Sequence, residues 1–369
     1  MFYYLLEYLN KAFNPPGFDV FRFLTFRAAL SAITALLLSF FLGPKFIEFL
    51  RKKQIGEAKK IDGPKSHWSK AGTPTMGGLI IIFSIVVPVV LWGDIKSTYI
   101  ILLLAGTIWL SGVGFLDDYL KVIKKLPNGL IARYKLLGQI IIGLAIGSAI
   151  YFLPEFHDFN SITTLPFFKD TNFDFSYLYI PAVIFIIAAT SNAVNLTDGL
   201  DGLAIGTTVI VMIALAIICY VSGNIIYADY LNIIYLPGSG ELIVFIAAVI
   251  GAGLGFLWFN FYPAQIFMGD TGSLALGGAF GILCILIKKE LLIPILGGIF
   301  FIETMSVIIQ RLYFKYTKKR FGEGKRIFRM APIHHHFEKM GWPEPKIVIR
   351  FYIITIILVI ISLTSFKVR

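Results

Sequence analysis

The sequence contains few charged side chains, because only 15% of its 369 residues are Asp, Glu, Lys or Arg whereas 57% are hydrophobic. A soluble protein of this length could not cover so much apolar surface. Apolar runs of about 20 residues recur along the whole chain, as helices that span a bilayer require. These features predict an all-α integral membrane protein with one polytopic domain over residues 1–369, although the length alone would allow two soluble domains.

Cysteine is scarce, and a basic segment at the start of the chain is missing. The two cysteines, Cys219 and Cys284, lie inside apolar runs, which argues against a disulfide or a metal site at either. The first basic residue is Lys11, and no basic segment precedes a short apolar core, so we expect no cleavable signal peptide. Residues 1–22 are predicted to form an interfacial segment that leads into the first span.

The sequence also lacks an internal repeat of clear period and any low-complexity tract. The run Gly251-Ala252-Gly253-Leu254-Gly255 resembles part of a dinucleotide-binding fingerprint. No strand is predicted before this run, and the run lies within a predicted span. We therefore predict that these small residues allow close packing of membrane helices.

The polar connections between the apolar runs predict the orientation of the helices. Connections 44–75, 117–135 and 311–346 hold 8, 5 and 10 Lys and Arg residues, which together are 23 of the chain's 33. The alternate connections 93–97, 154–176 and 223–240 hold one, one and none. Because cytoplasmic loops are enriched in Lys and Arg, the first set is predicted to be cytoplasmic and both termini periplasmic. The ten predicted spans are residues 23–43, 77–92, 98–116, 135–153, 177–194, 201–222, 241–259, 271–287, 291–314 and 347–366.

The net charge of +11 comes mostly from the Lys and Arg residues of the predicted cytoplasmic connections. In a soluble protein it would suggest a nucleic-acid partner, but here the bias of cytoplasmic loops accounts for most of it, and we predict no nucleic-acid binding. The remainder can attract an anionic substrate or anionic membrane lipid. Lys288 and Lys289 are an exception to the bias, because they lie in a short turn on the predicted outer side.

Three acidic segments fall on the predicted cytoplasmic side. Asp117-Asp118 end the third span, Asn195–Gly202 joins the fifth and sixth spans, and Asp270 opens the eighth. Hydrated helix ends and helix caps explain single acids of this kind. The three-residue spacing of Asp198 and Asp201 predicts that they share one helical face. Together the acids can hold Mg²⁺, while the glycine turns can approach a phosphate, so the set predicts phosphoryl transfer.

Two further polar features lie near the end of the chain. His334-His335-His336 lie in the last cytoplasmic loop, where adjacent residues rarely converge on one metal ion and no Cys is near, so we favour donors to phosphate oxygens over a zinc site. Glu303 lies within the ninth span, where an ionisable group indicates either function or an interhelical hydrogen bond.

Five segments together resemble the polyprenyl-phosphate N-acetylhexosamine 1-phosphate transferase superfamily (glycosyltransferase family 4), and most closely its branch that uses UDP-N-acetylmuramoyl-pentapeptide. The segments are Thr73–Gly78, Gly114–Tyr119, Asn192–Gly202, Phe267–Ser273 and Ala331–Glu338. The resemblance implies a Mg²⁺-dependent transfer of phospho-N-acetylmuramoyl-pentapeptide from UDP-N-acetylmuramoyl-pentapeptide to undecaprenyl phosphate, which yields lipid I and UMP. It also implies a homodimer in the bacterial cytoplasmic (inner) membrane, with ten spans and a cytoplasmic active site.

The same resemblance implies roles for individual residues. Asp270 would bind Mg²⁺, and Asp117 and Asp118 would be essential acids near the phosphates and further candidate ligands. His334 and His335 would act at the sugar-phosphate end. The other implied substrate-binding residues are Lys70, Lys125 and Lys135 at phosphates, Asn195, Asp198, Gly199, Leu200, Asp201, Asn260 and Phe267 around uridine, and Met268, Gln310 and His336.

Three alternatives remain at this stage. A sister enzyme would transfer N-acetylglucosamine 1-phosphate from UDP-N-acetylglucosamine, but the triple His followed by Phe337-Glu338 and then by Pro343–Phe351 resembles the muramoyl branch. A membrane transporter would use Glu303 and the acidic turns as a permeation path. Such a protein is expected to have paired broken helices near the middle of the membrane, whereas the polar residues of this sequence gather at one face. An intramembrane prenyltransferase would need a further Asp soon after the pair, where this sequence has Leu120 and Lys121.

Overall fold

The computed structural model describes residues 1–53, 56, 70, 72–126, 129–168 and 171–366, and these residues are almost entirely helical. They form fourteen α-helices: α1 Phe2–Phe13, α2 Leu24–Lys52, α3 Gly78–Trp92, α4 Thr98–Asp118, α5 Ala132–Phe152, α6 Tyr179–Thr197, α7 Leu203–Ser222, α8 Ile225–Tyr230, α9 Leu242–Asn260, α10 Gly269–Leu286, α11 Ile293–Leu296, α12 Gly298–Phe321, α13 Ile333–Lys339 and α14 Glu344–Thr364. A π-helical turn, Tyr119–Ile123, continues α4, and short 3-10 helices cover Phe18–Arg22, Pro154–Phe159, Ser176–Leu178, Ser239–Glu241 and Glu290–Leu292.

The helices coincide with the apolar runs of the sequence. In the described part of the chain, eight helices are long and apolar enough to cross a membrane, and a bent pair would make nine. The remaining predicted span, α3, has 15 residues. The prediction of an all-α, multi-pass membrane protein is therefore confirmed. Several helices continue beyond the predicted spans into polar sequence. Helix α2, for example, continues past the predicted end at residue 43 through Pro44 to Lys52.

The ninth predicted span, 291–314, is not one straight helix. The segments Glu290–Leu296 and Gly298–Phe321 meet at an angle of 84°. Gly297 lies at the bend, outside helical geometry, with the ring of Phe280 packed where a larger residue would place its Cβ. The apolar pattern continues through this point, so hydropathy alone could not reveal the bend.

Helix α10 occupies the centre of the bundle, in contact with α3, α4, α6 and α7. All of its residues from Thr271 to Leu286 are buried. A Cβ at Gly114 of α4 would overlap the backbone carbonyl of Asp270, and one at Gly78 of α3 would overlap Gly272. Glycine therefore brings two neighbouring helices against the first turn of α10, which places Asp270 among several helix ends.

Close packing through small residues also joins α2 and α9. A Cβ at Gly251 would overlap the carbonyl of Ala32, and one at Gly255 would overlap the side chain of Ser39. Both glycines lie inside α9, and the element directly before this helix is the 3-10 helix Ser239–Glu241, not a strand. The prediction of helix packing, rather than a dinucleotide site, is confirmed.

The ends of the long helices form two polar faces. Hydrogen bonds join the end of α4 to the start of α10, the end of α6 to the start of α10, and the start of α7 to the end of α9. We call this the basic face, because connections 44–75, 117–135 and 311–346 leave the bundle here. The opposite face carries a two-stranded antiparallel hairpin, β1 Ile162–Thr164 and β2 Asn172–Asp174.

Lys288 and Lys289 lie on the opposite face and are buried, which explains why they depart from the charge bias. The Nζ atom of Lys288 donates to the carbonyl of Asn160 at 3.0 Å and to the hydroxyl of Tyr179 at 2.7 Å. Lys289 donates to the hydroxyl of Thr164 at 3.0 Å. Burial lowers the pKa of Lys288 to about 8, although Glu290 opposes the shift. Lys289 thus ties β1 to the bundle and Lys288 joins Asn160 to the start of α6, so neither amine is a solvated loop charge.

A buried ion pair on the same face yields a stability prediction. The guanidinium of Arg27 in α2 donates to both carboxylate oxygens of Glu241, at 2.9 and 2.5 Å, and Arg27 is only 4% exposed. We expect Glu241→Gln to lower the free energy of unfolding by about 3 kcal/mol, because it leaves a buried cation without its counter-ion. Unfolding in mixed detergent–SDS micelles measures this.

The exposed pair of Glu7 and Lys11 in α1 supplies the control. Glu7→Gln should change the free energy of unfolding by less than about 1 kcal/mol, because a solvated pair contributes little. Equal effects of the two substitutions would contradict the assignment of Arg27 and Glu241 as a buried structural pair.

Candidate active site

Three carboxylates meet on the basic face. Asp117 and Asp118 end α4, and Asp270 lies in the first turn of α10. Their nearest carboxylate oxygens all lie within 4.8 Å of one another, and Asp117 and Asp118 are buried. Residues more than 150 positions apart in the chain thus share one polar centre, as the sequence predicts. We call these three residues the acidic cluster.

Asp118 anchors the first turn of α10. Its Oδ1 accepts the backbone N–H of Asp270 at 3.0 Å. Its Oδ2 accepts the backbone N–H and the hydroxyl of Thr271, at 2.9 and 2.6 Å. Backbone N–H groups at the start of a helix have no partner within the helix and carry partial positive charge, so the buried carboxylate stabilises this end. The Asp118 carboxylate therefore fixes the position of Asp270.

Two lysines bridge the other two carboxylates. The Nζ atom of Lys135, at the start of α5, lies 2.9 Å from Oδ2 of Asp117 and also pairs with Oδ2 of Asp270. Lys121 pairs with the same oxygen of Asp117 and lies 3.4 Å from Oδ2 of Asp270. Three carboxylates against two ammonium groups leave one net negative charge.

The donor set suits a divalent metal ion. Oδ2 of Asp117 and Oδ2 of Asp270 converge on the same ammonium groups, which shows that a cation is stabilised between them. Hard oxygen ligands of this kind are those that Mg²⁺ binds. Asp118 has less free capacity, because three donors already occupy its oxygens. Asp117 and Asp270 are therefore the best-suited protein ligands.

Asn195, at the end of α6, joins the acidic cluster to the turn that follows. Its amide donates to Oδ1 of Asp270 at 3.0 Å and to the hydroxyl of Ser273 at 2.8 Å. We call residues Asp198–Gly202 the α6–α7 turn. The turn therefore begins three residues after Asn195, which contacts the acidic cluster directly.

The predicted helical placement of Asp198 and Asp201 is wrong. Helix α6 ends at Thr197, and α7 begins only at Leu203. Gly202 precedes α7 with φ of 81°, a conformation that glycine adopts without strain and that interrupts helical geometry. Asp198 caps the end of α6 and does not belong to the acidic cluster among the described residues.

A second charged group lies at the other end of the turn. Lys70 pairs with Asp201 at 2.7 Å and with Glu344, the first residue of α14, at 2.6 Å. Burial disfavours the ammonium form of Lys70, but Glu344 and Asp201 outweigh this and raise its pKa. Asn260 also contacts the turn, since its Oδ1 accepts the N–H of Gly202 at 3.1 Å while its amide donates to the carbonyl of Ile266 at 2.8 Å.

The three histidines have different surroundings. His334 is fully buried, with Nδ1 3.1 Å from Oε2 of Glu303 and with Nε2 against Gly199, where a Cβ would overlap it. Glu303, also fully buried, thus has a histidine as its polar neighbour. His335 lies 2.6 Å from the carboxylate of Glu338. The structure therefore brings His334 to the α6–α7 turn from a distant part of the chain.

His336 and Gln310 support the last loop. Nδ1 of His336 accepts the backbone N–H of Arg329 at 3.0 Å. The amide of Gln310, in α12, donates to the carbonyl of Phe328 at 3.0 Å, and its oxygen accepts the N–H groups of Ile327 and Phe328. Their substrate contacts stay predictions from the resemblance.

Four further implied residues lie around these groups. Phe267 is half-buried, and its backbone pairs with Pro74 and Gly77, so two of the motif segments are neighbours. Met268 and Leu200 are buried, Met268 beside Gly272 and Leu200 in a small apolar cluster with α14. Lys125 is exposed, and its predicted contact with phosphate stays a prediction.

Sequence reasoning did not assign several residues that complete the site. For Lys121 the sequence already predicts the ion pair with Asp117, four residues before it, which the structure confirms, but not its contact with Asp270. Thr271 and Ser273 belong to a recognised motif, but the sequence does not predict their hydrogen bonds with Asp118 and Asn195. Glu344 resembles an ordinary acidic first-turn residue after Pro343, so its contact with Lys70 had no signal in the sequence.

The chain is similar to known proteins along its whole length. A family model described as glycosyl transferase family 4 matches residues 100–288. A second model, described as phospho-N-acetylmuramoyl-pentapeptide-transferase signature 1, matches residues 70–82. The phospho-N-acetylmuramoyl-pentapeptide-transferases of Chloroherpeton thalassium and Chlorobium limicola are each 54% identical to this chain, and that of Pelodictyon phaeoclathratiforme is 53% identical. Each alignment covers 100% of both chains.

Proposed function

The chain belongs to the phospho-N-acetylmuramoyl-pentapeptide-transferases of glycosyl transferase family 4, and from this premise we propose the reaction at its acidic cluster. The enzyme transfers phospho-N-acetylmuramoyl-pentapeptide from UDP-N-acetylmuramoyl-pentapeptide to undecaprenyl phosphate. The products are lipid I and UMP. The observation that supports this reaction at this site is the meeting of Asp117, Asp118 and Asp270 beside two lysines on the basic face.

We propose direct transfer without a covalent enzyme intermediate. An oxygen of the lipid phosphate attacks the phosphorus next to the sugar, and the bond from that phosphorus to the bridging oxygen of the donor breaks. UMP leaves with the bridging oxygen, and a lipid-linked diphosphate forms. An aspartyl-phosphate route would need a carboxylate free to attack. Asp118 is poorly suited, since both its oxygens already accept hydrogen bonds.

The chain's own residues supply positioning and charge. Asp117 and Asp270 would hold Mg²⁺, which stabilises negative charge on phosphate oxygens when it is bound. Lys121 and Lys135, which pair with these carboxylates here, are within reach of the same centre and can bind phosphate oxygens. The α6–α7 turn, with Asn195 beside it, is proposed to bind the uridine end, and Phe267 to contact the base. His334 and His335 are proposed to serve the sugar-phosphate end.

The placement in the cell follows the charge bias of the sequence. We propose that the chain forms one polytopic domain with ten spans in the bacterial inner membrane, with the basic face in the cytoplasm and both termini in the periplasm. This arrangement places the acidic cluster where a soluble nucleotide donor and the lipid phosphate can meet. We also propose a homodimer, which rests on the resemblance alone and which native mass spectrometry in detergent tests.

The function predicts a specific pattern of donor use. The purified protein is incubated with undecaprenyl phosphate and Mg²⁺, and UDP-N-acetylmuramoyl-pentapeptide and UDP-N-acetylglucosamine are offered separately. We expect UMP release and a lipid product only with the muramoyl donor, and loss of both when a chelator removes the metal. Product from UDP-N-acetylglucosamine alone would overturn the substrate assignment, and full turnover in excess chelator would overturn the metal assignment.

A further inference from the structure

We propose that Glu344 is a positioning residue that holds the α6–α7 turn in the geometry that binds the nucleotide donor. Glu344 begins α14, is 7% exposed and lies on the basic face, but the sequence assigned no role to it. The inference rests on the proposed function, because it concerns the donor site of that reaction.

Glu344 makes two direct polar contacts through one oxygen. Its Oε1 accepts the backbone N–H of Asp201 at 2.6 Å and the ammonium of Lys70 at 2.6 Å. An acid in the first turn of a helix also interacts favourably with the helix dipole. A carboxylate that served only the dipole could remain solvated, whereas this one is buried against a residue 143 positions earlier in the chain. Its main contact is therefore the turn.

The charges of Lys70, Asp201 and Glu344 indicate that Glu344 is not needed to neutralise Lys70. Lys70 already pairs with Asp201 at 2.7 Å, so those two residues would balance each other alone. Glu344 adds a second buried carboxylate to the same ammonium, which costs desolvation free energy. Its compensation is the charge-assisted hydrogen bond to the N–H of Asp201, which fixes the backbone at this point.

The turn is held from several sides, and Glu344 supplies the charged contact to its backbone. The other oxygen of Asp201 accepts the N–H of Ala264 at 3.0 Å. The hydroxyl of Tyr352, also in α14, donates to the carbonyl of Gly202 at 2.6 Å. At its start, the turn follows Asn195, which contacts Asp270. Asp201 is therefore joined to the acidic cluster by one short segment of chain.

The position of Lys70 depends on the same residue. With Glu344 and Asp201 on either side, the Lys70 ammonium is held beside the turn and its side chain is 14% exposed. Loss of the Glu344 charge weakens both contacts, because a neutral oxygen holds the Lys70 ammonium and the N–H of Asp201 less strongly than a carboxylate does. The turn then samples conformations that do not match the donor, which reduces donor affinity more than it slows the chemical step.

The test compares Glu344→Gln, Glu344→Asp and the control Glu323→Gln, an exposed acid in the last basic-face connection. Initial rates of UMP release are measured against the concentration of UDP-N-acetylmuramoyl-pentapeptide, with undecaprenyl phosphate and Mg²⁺ saturating. We expect Glu344→Gln to raise the KM for the donor about tenfold with kcat changed less than about threefold, as loss of one charge-assisted hydrogen bond predicts. Glu344→Asp should give a smaller rise, and Glu323→Gln none.

Hydrogen exchange of the full-length protein gives a readout that needs no turnover. Amides in residues 198–204 should exchange faster in Glu344→Gln, with the rest of α7 unchanged. Wild-type KM and exchange in Glu344→Gln would overturn the proposal, as would a fall in kcat alone. If that variant does not fold, Glu344→Asp decides by the same criteria. If wild-type protein releases no UMP from this donor, the proposed function fails, and the exchange data still decide whether Glu344 holds the turn.

Discussion

Replacing Asp270 with Asn is expected to lower turnover by about 10³-fold or more while the protein remains folded, because a bound metal ion supplies several kcal/mol of charge stabilisation. Asp270 contributes one of the two carboxylate oxygens that converge on the bridging lysines, and Asn is a poorer ligand without charge. The change also removes one of three negative charges beside two lysines, so the charge balance of the folded cluster is not made worse. The assay is UMP release at saturating Mg²⁺.

Folding is checked by SDS-induced unfolding, where Asp270→Asn should change the free energy of unfolding by less than about 1 kcal/mol. Asp158→Asn, an exposed acid on the opposite face, is the matched control and should leave turnover and stability unchanged. Near-wild-type turnover of Asp270→Asn with Mg²⁺ would show that this residue is not a metal ligand.

Asp118→Asn is expected to lose both activity and stability, because this carboxylate supports the backbone of α10. Three donors point at the two oxygens of Asp118. Asn would replace one of these oxygens by an NH₂ group, which is itself a donor and would face protein donors instead of accepting from them. We expect the free energy of unfolding to fall by about 3 kcal/mol, since buried donors to a charged acceptor are left without a partner. Turnover should fall at least about 10²-fold, because Asp270 loses its fixed position.

Thr271→Val provides a graded comparison, since it removes only the hydroxyl donor to Asp118. Its expected cost is about 1 kcal/mol. The structure thus predicts different effects for two neighbouring acids. Substitution of Asp270 should lower turnover alone, whereas substitution of Asp118 should lower both turnover and the free energy of unfolding. An Asp118→Asn protein as stable as wild type would contradict the anchoring role.

Much of the architecture could be predicted because membrane helices leave strong signals along a sequence. Apolar runs indicate where a helix crosses a bilayer, and Lys and Arg counts group the connections. Since alternate helix ends share a face, Asp117, Asp118 and Asp270 had to lie on one side, and the structure confirms that they meet. Lys135 and Asn195 also contact this centre; the resemblance implied that Lys135 lies at phosphates, but it assigned Asn195 to the uridine end.

The parts that could not be predicted depend on backbone geometry or on contacts between distant segments. Asp198 leaves helical geometry at the end of α6 and Gly202 has a positive φ before α7, so Asp198 and Asp201 lie in a turn and not on the helix that their spacing predicted. Gly297 allows a sharp bend inside an unbroken apolar pattern. The contact of Glu344 with Lys70 joins residues 274 positions apart, and local periodicity carries no information about such a pair.

The central position of α10 has a consequence for how the protein is made. This helix is the least apolar of the eight long candidates in the described chain, and it is enclosed by neighbours instead of lipid. On its own it would enter a bilayer less readily than the helices around it. Helices α3, α4, α6 and α7 precede it in the chain and form the site into which it packs. Because Asp270 arrives only with this helix, an unfinished chain holds no completed acidic cluster during biogenesis.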